Sequence, residues 1–95
     1  MKEKISAVMI VFNERGHIEL FFKSFLGQTF DPNSIELVIV DNCSNDGTGE
    51  IISMYQKYLS KLKLIKIKCN RSKGRNIAIK NTSGEYILTF NSDIY

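Results

Sequence analysis

The chain has 95 residues, 43% of them hydrophobic and 24% charged, with a net charge of +3. That is enough for one small domain with a modest core, and the balance of apolar and charged residues excludes a disordered segment. The mild positive charge gives no strongly clustered basic face of the kind that nucleic acid requires, so no nucleic-acid partner is expected.

The first element is Ile5 to Phe12, a continuous apolar run behind a charged start. It predicts a strand buried on both faces. Its longest uninterrupted stretch, Ala7 to Phe12, is far short of the ~20 residues that cross a bilayer, and no signal-peptide pattern precedes it. A cytoplasmic location is the expectation. The strand ends at Asn13-Glu14-Arg15-Gly16. Ile18, Phe21, Phe22, Phe25 and Leu26 then recur at helical spacing, which predicts a helix from about His17 to Gln28 with its aromatic stripe in the core. His17 has no ligand-forming neighbour in sequence and reads as exposed. A loop holding the single proline leads into a second strand, Ile35 to Val40.

That strand delivers Asp41 into the loop Asn42-Cys43-Ser44-Asn45-Asp46-Gly47-Thr48. Carboxyl ends of parallel strands open into crevices where α/β sheets hold ligands. Asp41 is therefore either a ligand contact or a local cap. Asp46 and Thr48 suit the N-terminus of the next helix, and Gly47 suits a sharp turn. Ile51, Ile52, Tyr55, Leu59 and Leu62 give a second helical stripe ending near Lys61. Leu64 to Lys68 alternates as an edge strand, with Lys57, Lys61, Lys63, Lys66 and Lys68 read as a solvated face. A third helix opens around Asn70 and stops at Asn81. A fourth apolar strand, Tyr86 to Phe90, runs into Asn91-Ser92-Asp93.

The order β-α-β-α-β-α-β predicts a parallel sheet with helices on both faces and all strands ending on one rim. The rim collects Asn13, Glu14, Asp41, Arg71, Lys73, Arg75, Asn91 and Asp93. Acids and amides beside cations suit a polar ligand carrying negative charge, such as a nucleoside diphosphate with a divalent cation. The two cysteines, Cys43 and Cys69, are read as reduced thiols. No Gly-x-Gly-x-x-Gly follows the first strand, and neither a Gly-Lys-Ser/Thr phosphate loop nor a nucleophile elbow is present. A non-catalytic flavodoxin-like or receiver-like binding domain and a nucleotidyltransferase are the alternatives that these features leave.

Several segments in order resemble the inverting, GT-A-type glycosyltransferases of family 2. They are Ser6 to Glu14, Ser24-Phe25-Leu26 with Gln28-Thr29-Phe30, Val38 to Thr48, Gly74 to Ala78, Ser83 to Ile87, and Asn91-Ser92-Asp93 in the place of an Asp-x-Asp metal motif. The resemblance implies a Rossmann-like (GT-A) sheet of order 3-2-1-4. It makes residues 1–95 the nucleotide-sugar-binding half of a larger domain, cut after the metal motif, in a parent enzyme that transfers a sugar from a nucleotide-diphosphate sugar, UDP-sugar first, to an acceptor hydroxyl with inversion.

By the same resemblance the backbone at Val11 and Phe12, with Glu14, lines the nucleoside pocket, and Asp41 accepts a hydrogen bond from the base. Arg75 lies near base or diphosphate, Asn91 contacts ribose, and Asp93 holds Mn²⁺ or Mg²⁺. No residue here is expected to be the catalytic base, which the family draws from later sequence together with the site for a still unknown acceptor. Three departures stand out: Ile10 replaces a frequent proline, the loop from Asn70 to Arg75 is short, and Asn91 and Ile94 replace acids around the metal motif. The parent is expected to associate peripherally with a membrane, and the piece itself to self-associate through its fourth strand.

Overall fold

A computed structural model describes residues 5–27, 34–82 and 86–91. Four strands, β1 (Ile5–Val11), β2 (Ile35–Asp41), β3 (Leu62–Lys66) and β4 (Tyr86–Asn91), alternate with helices α1 (Arg15–Leu26), α2 (Thr48–Tyr55) and α3 (Arg71–Lys80). All pairings are parallel and the sheet order is β3-β2-β1-β4. This is the predicted topology, and it follows from apolar runs too short for helices, joined by crossovers long enough to return over the sheet.

Strand alternation divides the core in two. Ala7, Met9, Val11, Leu37 and Ile39 face one side, where Ile18, Phe21, Phe22 and Phe25 of α1 and Ile51 and Ile52 of α2 pack on them. Val8, Val38 and Val40 face the other side, against Ala78 of α3, with Ile10, Ile65, Ile67, Cys69 and Ile77 around them. The aromatic stripe of α1 is core, as expected. The Phe22 ring stacks on Tyr55 with centroids 4.3 Å apart.

The boundaries differ from the sequence expectation in ways that have local causes. Helix α1 starts at Arg15 rather than His17 because its first N–H groups are capped from a distant loop: Glu14 N donates to Thr48 Oγ1 at 3.0 Å and Arg15 N to Asp46 Oδ2 at 3.3 Å. Helix α2 ends at Tyr55 instead of running to Lys61. Tight turns follow, with Lys57 N and Tyr58 N donating three residues back to Met54 O and Tyr55 O, and they carry Leu59 into the core without a helix. Strand β3 begins at Leu62, two residues before the expected Leu64, and Leu62 is a buried strand residue instead of the last member of a helical stripe. β1 stops at Val11, which leaves Phe12 beyond it, 54% exposed on the rim.

Phe22 has no exposed surface and anchors the α1/α2 side. Phe22→Ala should cost about 3–5 kcal/mol of unfolding free energy, the usual range for an emptied aromatic site, measured by chemical denaturation.

Candidate functional site

The carboxyl ends of β1 and β2 are tied together by side chains that reach across the rim. Asn42 N donates to Val11 O at 2.9 Å, the last bond before the chains part. Beyond it, Asn13 N donates to Ser44 Oγ at 2.8 Å, and Asn45 N donates to Asn13 Oδ1 at 2.8 Å. Two non-glycine residues here, Asn13 and Cys43, sit at positive φ of 49° and 55°. Gly47, at φ 98°, makes the sharp turn expected of it.

Asp41 lies beneath this lattice. Its residue is 1% exposed, and its Oδ1 accepts from both Ser44 N at 2.9 Å and Ser44 Oγ at 2.5 Å. As a strand residue in phase with Leu37 and Ile39, it points toward α2, where its Oδ2 lies 2.9 Å from the position that a Cβ on Gly49 would take. The next residue, Asn42, turns the other way. Its Oδ1 accepts from Cys69 N at 2.9 Å; a backbone N–H can only donate, so this bond fixes which end of the amide is oxygen and leaves Nδ2 as a donor.

A cleft of about 250 Å³ opens on that second side, lined by Ile10, Val11, Phe12, Glu14 and Asn42. Three of the sequence-predicted residues, Val11, Phe12 and Glu14, therefore share one wall. Asp41, predicted to read the base, lies below the cleft and off its lining, and Asn42 stands on the lining instead. The signal for Asn42 was available in sequence: strand parity puts consecutive residues on opposite sides, so a rim formed by Ile10 selects position 42 over 41.

Helix α3 closes that side. A Cβ on Gly74 would come within 3.2 Å of Ile10 and 3.1 Å of Cys69 Sγ, so glycine lets the helix start lie against the cleft's apolar edge. Arg75, the next residue, is exposed. Asn70 caps the helix by accepting from Lys73 N at 2.8 Å. The backbone of Asn91 reaches the same rim, paired with Ile10. Asp93 lies outside the described residues, and among those described there is no group of three His, Cys, Asp or Glu able to hold a metal. Cys43 and Cys69 are free thiols.

Asp46 and Thr48, both expected to cap α2, divide their work. Asp46 Oδ1 accepts from Thr48 N at 3.1 Å and from the Thr48 hydroxyl, while Thr48 Oγ1 serves α1 through Glu14 N. The Thr48 hydroxyl, above all, together with the N–H groups of Thr48 and Arg15, holds the Asp46 carboxyl below its usual range. A depressed folded-state pKa contributes stability that is complete above the unfolded value and lost as pH falls through the folded one. Asp46→Asn should therefore flatten the loss of stability below pH ~4 while leaving its slope near neutrality unchanged, as read from denaturation midpoints across pH.

Residues 6–95 match the pattern of glycosyl transferase family 2. The poly(ribitol-phosphate) β-N-acetylglucosaminyltransferase TarS of Staphylococcus aureus is 34% identical over 95 residues, covering 97% of this chain and 16% of TarS. The poly(ribitol-phosphate) β-glucosyltransferase of Bacillus spizizenii is 35% identical, with 97% and 15% covered. The crystal structure of S. aureus TarS 1–349 in complex with UDP superposes with a TM-score of 0.84 at 33% identity, over 95% of this chain and 27% of that one. This chain thus spans about a sixth of these relatives' length. Its fold is that of GT-A glycosyltransferases, and with nearly all of its length matched it belongs to glycosyl transferase family 2.

Proposed function

We propose that these residues form the donor-nucleotide half of a glycosyltransferase, and that the parent protein transfers a sugar from a nucleoside-diphosphate sugar, UDP-linked first, to an acceptor hydroxyl with inversion. The observation that carries this reading is the cleft at the carboxyl rim, lined by Val11, Phe12, Glu14 and Asn42. It supplies what a nucleoside needs: an exposed aromatic ring as an apolar wall, backbone at the strand end, and an oriented amide. The UDP and UDP-N-acetylglucosamine complexes of TarS, at 33% identity, support placing the nucleotide on this part of the fold.

In this reading the base contact expected of Asp41 passes to Asn42, whose Nδ2 donates to a carbonyl of the base. Asp41 holds the loop from below. Arg75 and Lys73, exposed at the start of α3, meet the diphosphate, and Asn91 meets the ribose. The donor set Asn91-Ser92-Asp93 offers a carboxylate with amide and hydroxyl oxygens, the hard ligands that Mn²⁺ and Mg²⁺ favour, with Asp93 as the anionic one. Bound there, such an ion would supply Lewis-acid neutralisation of charge on the diphosphate. The acceptor site and the base that activates the acceptor belong to the remainder of the parent.

Calorimetric titration with UDP, with and without Mn²⁺, tests the assignment. Saturable binding that Mn²⁺ strengthens is expected, and Asn91→Asp should tighten the Mn²⁺ dependence by adding a second carboxylate. No heat with UDP under either condition would overturn the donor-site reading.

The proposed self-association rests on β4, one of the two edge strands among the described residues, where Ile87 and Leu88, on opposite faces, are 41% and 46% exposed. An apolar edge of this kind recruits a second strand. Sedimentation of the 95-residue chain at tens of micromolar should give a dimer or larger species, reduced to monomer by Leu88→Lys; a monomer before substitution would remove this edge as a contact.

A further inference from the structure

The net charge of +3 conceals an uneven distribution. Between Ile51 and Thr82 stand nine of the thirteen lysines and arginines and none of the ten acids; the other four cations are Lys2, Lys4, Arg15 and Lys23. This acid-free block folds as the end of α2, the edge strand β3 and the whole of α3. Leu37 N donates to Lys61 O and Ile67 N to Asp41 O, both at 3.0 Å, so the chain lies along β2 from Lys61 past Lys66 to the carboxyl rim. Lys61, Lys66 and Lys68 are exposed on that edge, and Lys73 and Arg75 are exposed where the chain has entered α3. Lys61 to Lys68 alone span about 23 Å at ~3.3 Å per extended residue. Lys63 is neutralised, its Nζ 3.1 Å from Glu36 Oε2 and donating to Asn81 O at 3.1 Å. Among the described residues no ion pair involves the other five.

We propose that the β3 edge is a binding track for a linear polyanion without aromatic bases, its charges carried by phosphodiesters or carboxylates, and that the track runs up to the α3 end of the cleft. A row of unpaired cations along an extended edge matches charges repeated along a chain, and its binding releases the counterions of both. The side chains between the cations narrow the class. No aromatic residue occurs from Leu59 to Thr82, so nucleic-acid bases have nothing to stack on. Among the described residues none of the exposed large apolar side chains lies between Lys61 and Arg75, so acyl chains have nothing to receive them. Lysine on an edge strand also discourages pairing with other strands, but the row continues onto α3, which has no sheet edge to protect.

The test is calorimetric titration of the 95-residue chain with inorganic polyphosphate and with polygalacturonate, beside oligo-dT of matched charge and phosphatidylglycerol vesicles. Two double variants are compared: Lys66→Gln with Lys68→Gln on the track, and Arg15→Gln with Lys23→Gln, the same loss of charge on α1. Lys73 and Arg75 stay in place because the donor-site reading uses them. At least one base-free polymer should bind with strong salt dependence, and the tighter of the two names the charged group. The track variant should weaken it by about tenfold and lower the salt slope by about two, while the α1 variant changes it by less than about twofold. No binding of either polymer, equal losses in the two variants, or tighter binding of oligo-dT or vesicles overturns the inference. UDP affinity should be the same in both variants as in the unsubstituted chain; absence of UDP binding throughout would remove the donor-site reading and leave the polymer titrations to decide this one.

Discussion

Asp41 is the constraint on which the rim depends. Hydrogen bonds to a charged acceptor contribute about 1.5–3 kcal/mol each, and both bonds from Ser44 converge on a single buried oxygen. They hold a loop that contains Cys43 at φ 55° and that leans on Asn13 at φ 49°. Non-glycine residues in that region carry a cost of order 1–3 kcal/mol and persist only where their surroundings over-determine them. Here the surroundings are the crossed bonds between the 13–15 and 44–48 segments. The two strand ends thus form one rigid block where parallel strands would otherwise diverge.

Strand parity then decides what the block can present. Position 41 faces the larger core under α1 and α2, and position 42 faces the smaller one under α3. The carboxylate is consumed as a brace, while the amide is held at its oxygen end by Cys69 N and keeps its donor end for the cleft. Gly74 has a matching role on the other side, since a Cβ there would come within 3.1 Å of Cys69 Sγ and 3.2 Å of Ile10 and the neighbours would have to give by a few tenths of an ångström. Ile10, in the place where the family resemblance leads one to expect proline, is both cleft lining and helix contact. The departure therefore touches packing as well as local backbone.

Strand order, the parallel sense and the aromatic core of α1 were legible in sequence because each rests on a local signal, either an apolar run or a 3.6-residue stripe. The start of α1 was not. Its caps come from Asp46 and Thr48, more than thirty residues away, and no window around His17 contains them. Leu59 and Leu62 extended the α2 stripe in phase by coincidence, one buried from a turn and the other from a strand. At the site, Val11, Phe12 and Glu14, singled out together in sequence, line one cleft. Asp41 was singled out for its charge, yet a strand-end carboxylate serves a loop as readily as a ligand, and only the direction of the strand's pleat separates the two.

The charge balance of the rim also changes once its internal bonds are counted. Of the acids there, Asp41 is buried against Ser44, and Asp46 is occupied by Thr48 and by Arg15 N. Neither projects an unshielded charge toward a ligand. Lys73 and Arg75 on α3 are exposed, and no ion pair involves them among the described residues. With Glu14 on the cleft lining and Lys73 and Arg75 exposed on α3, the rim keeps both signs, its cations standing on the α3 side. Guanidinium can grip phosphate oxygens in pairs while the ammonium adds a point charge. In the donor-site reading proposed above, a ligand with one neutral end and one anionic end would lie with its flat part against Phe12 and Asn42 and its charge toward α3.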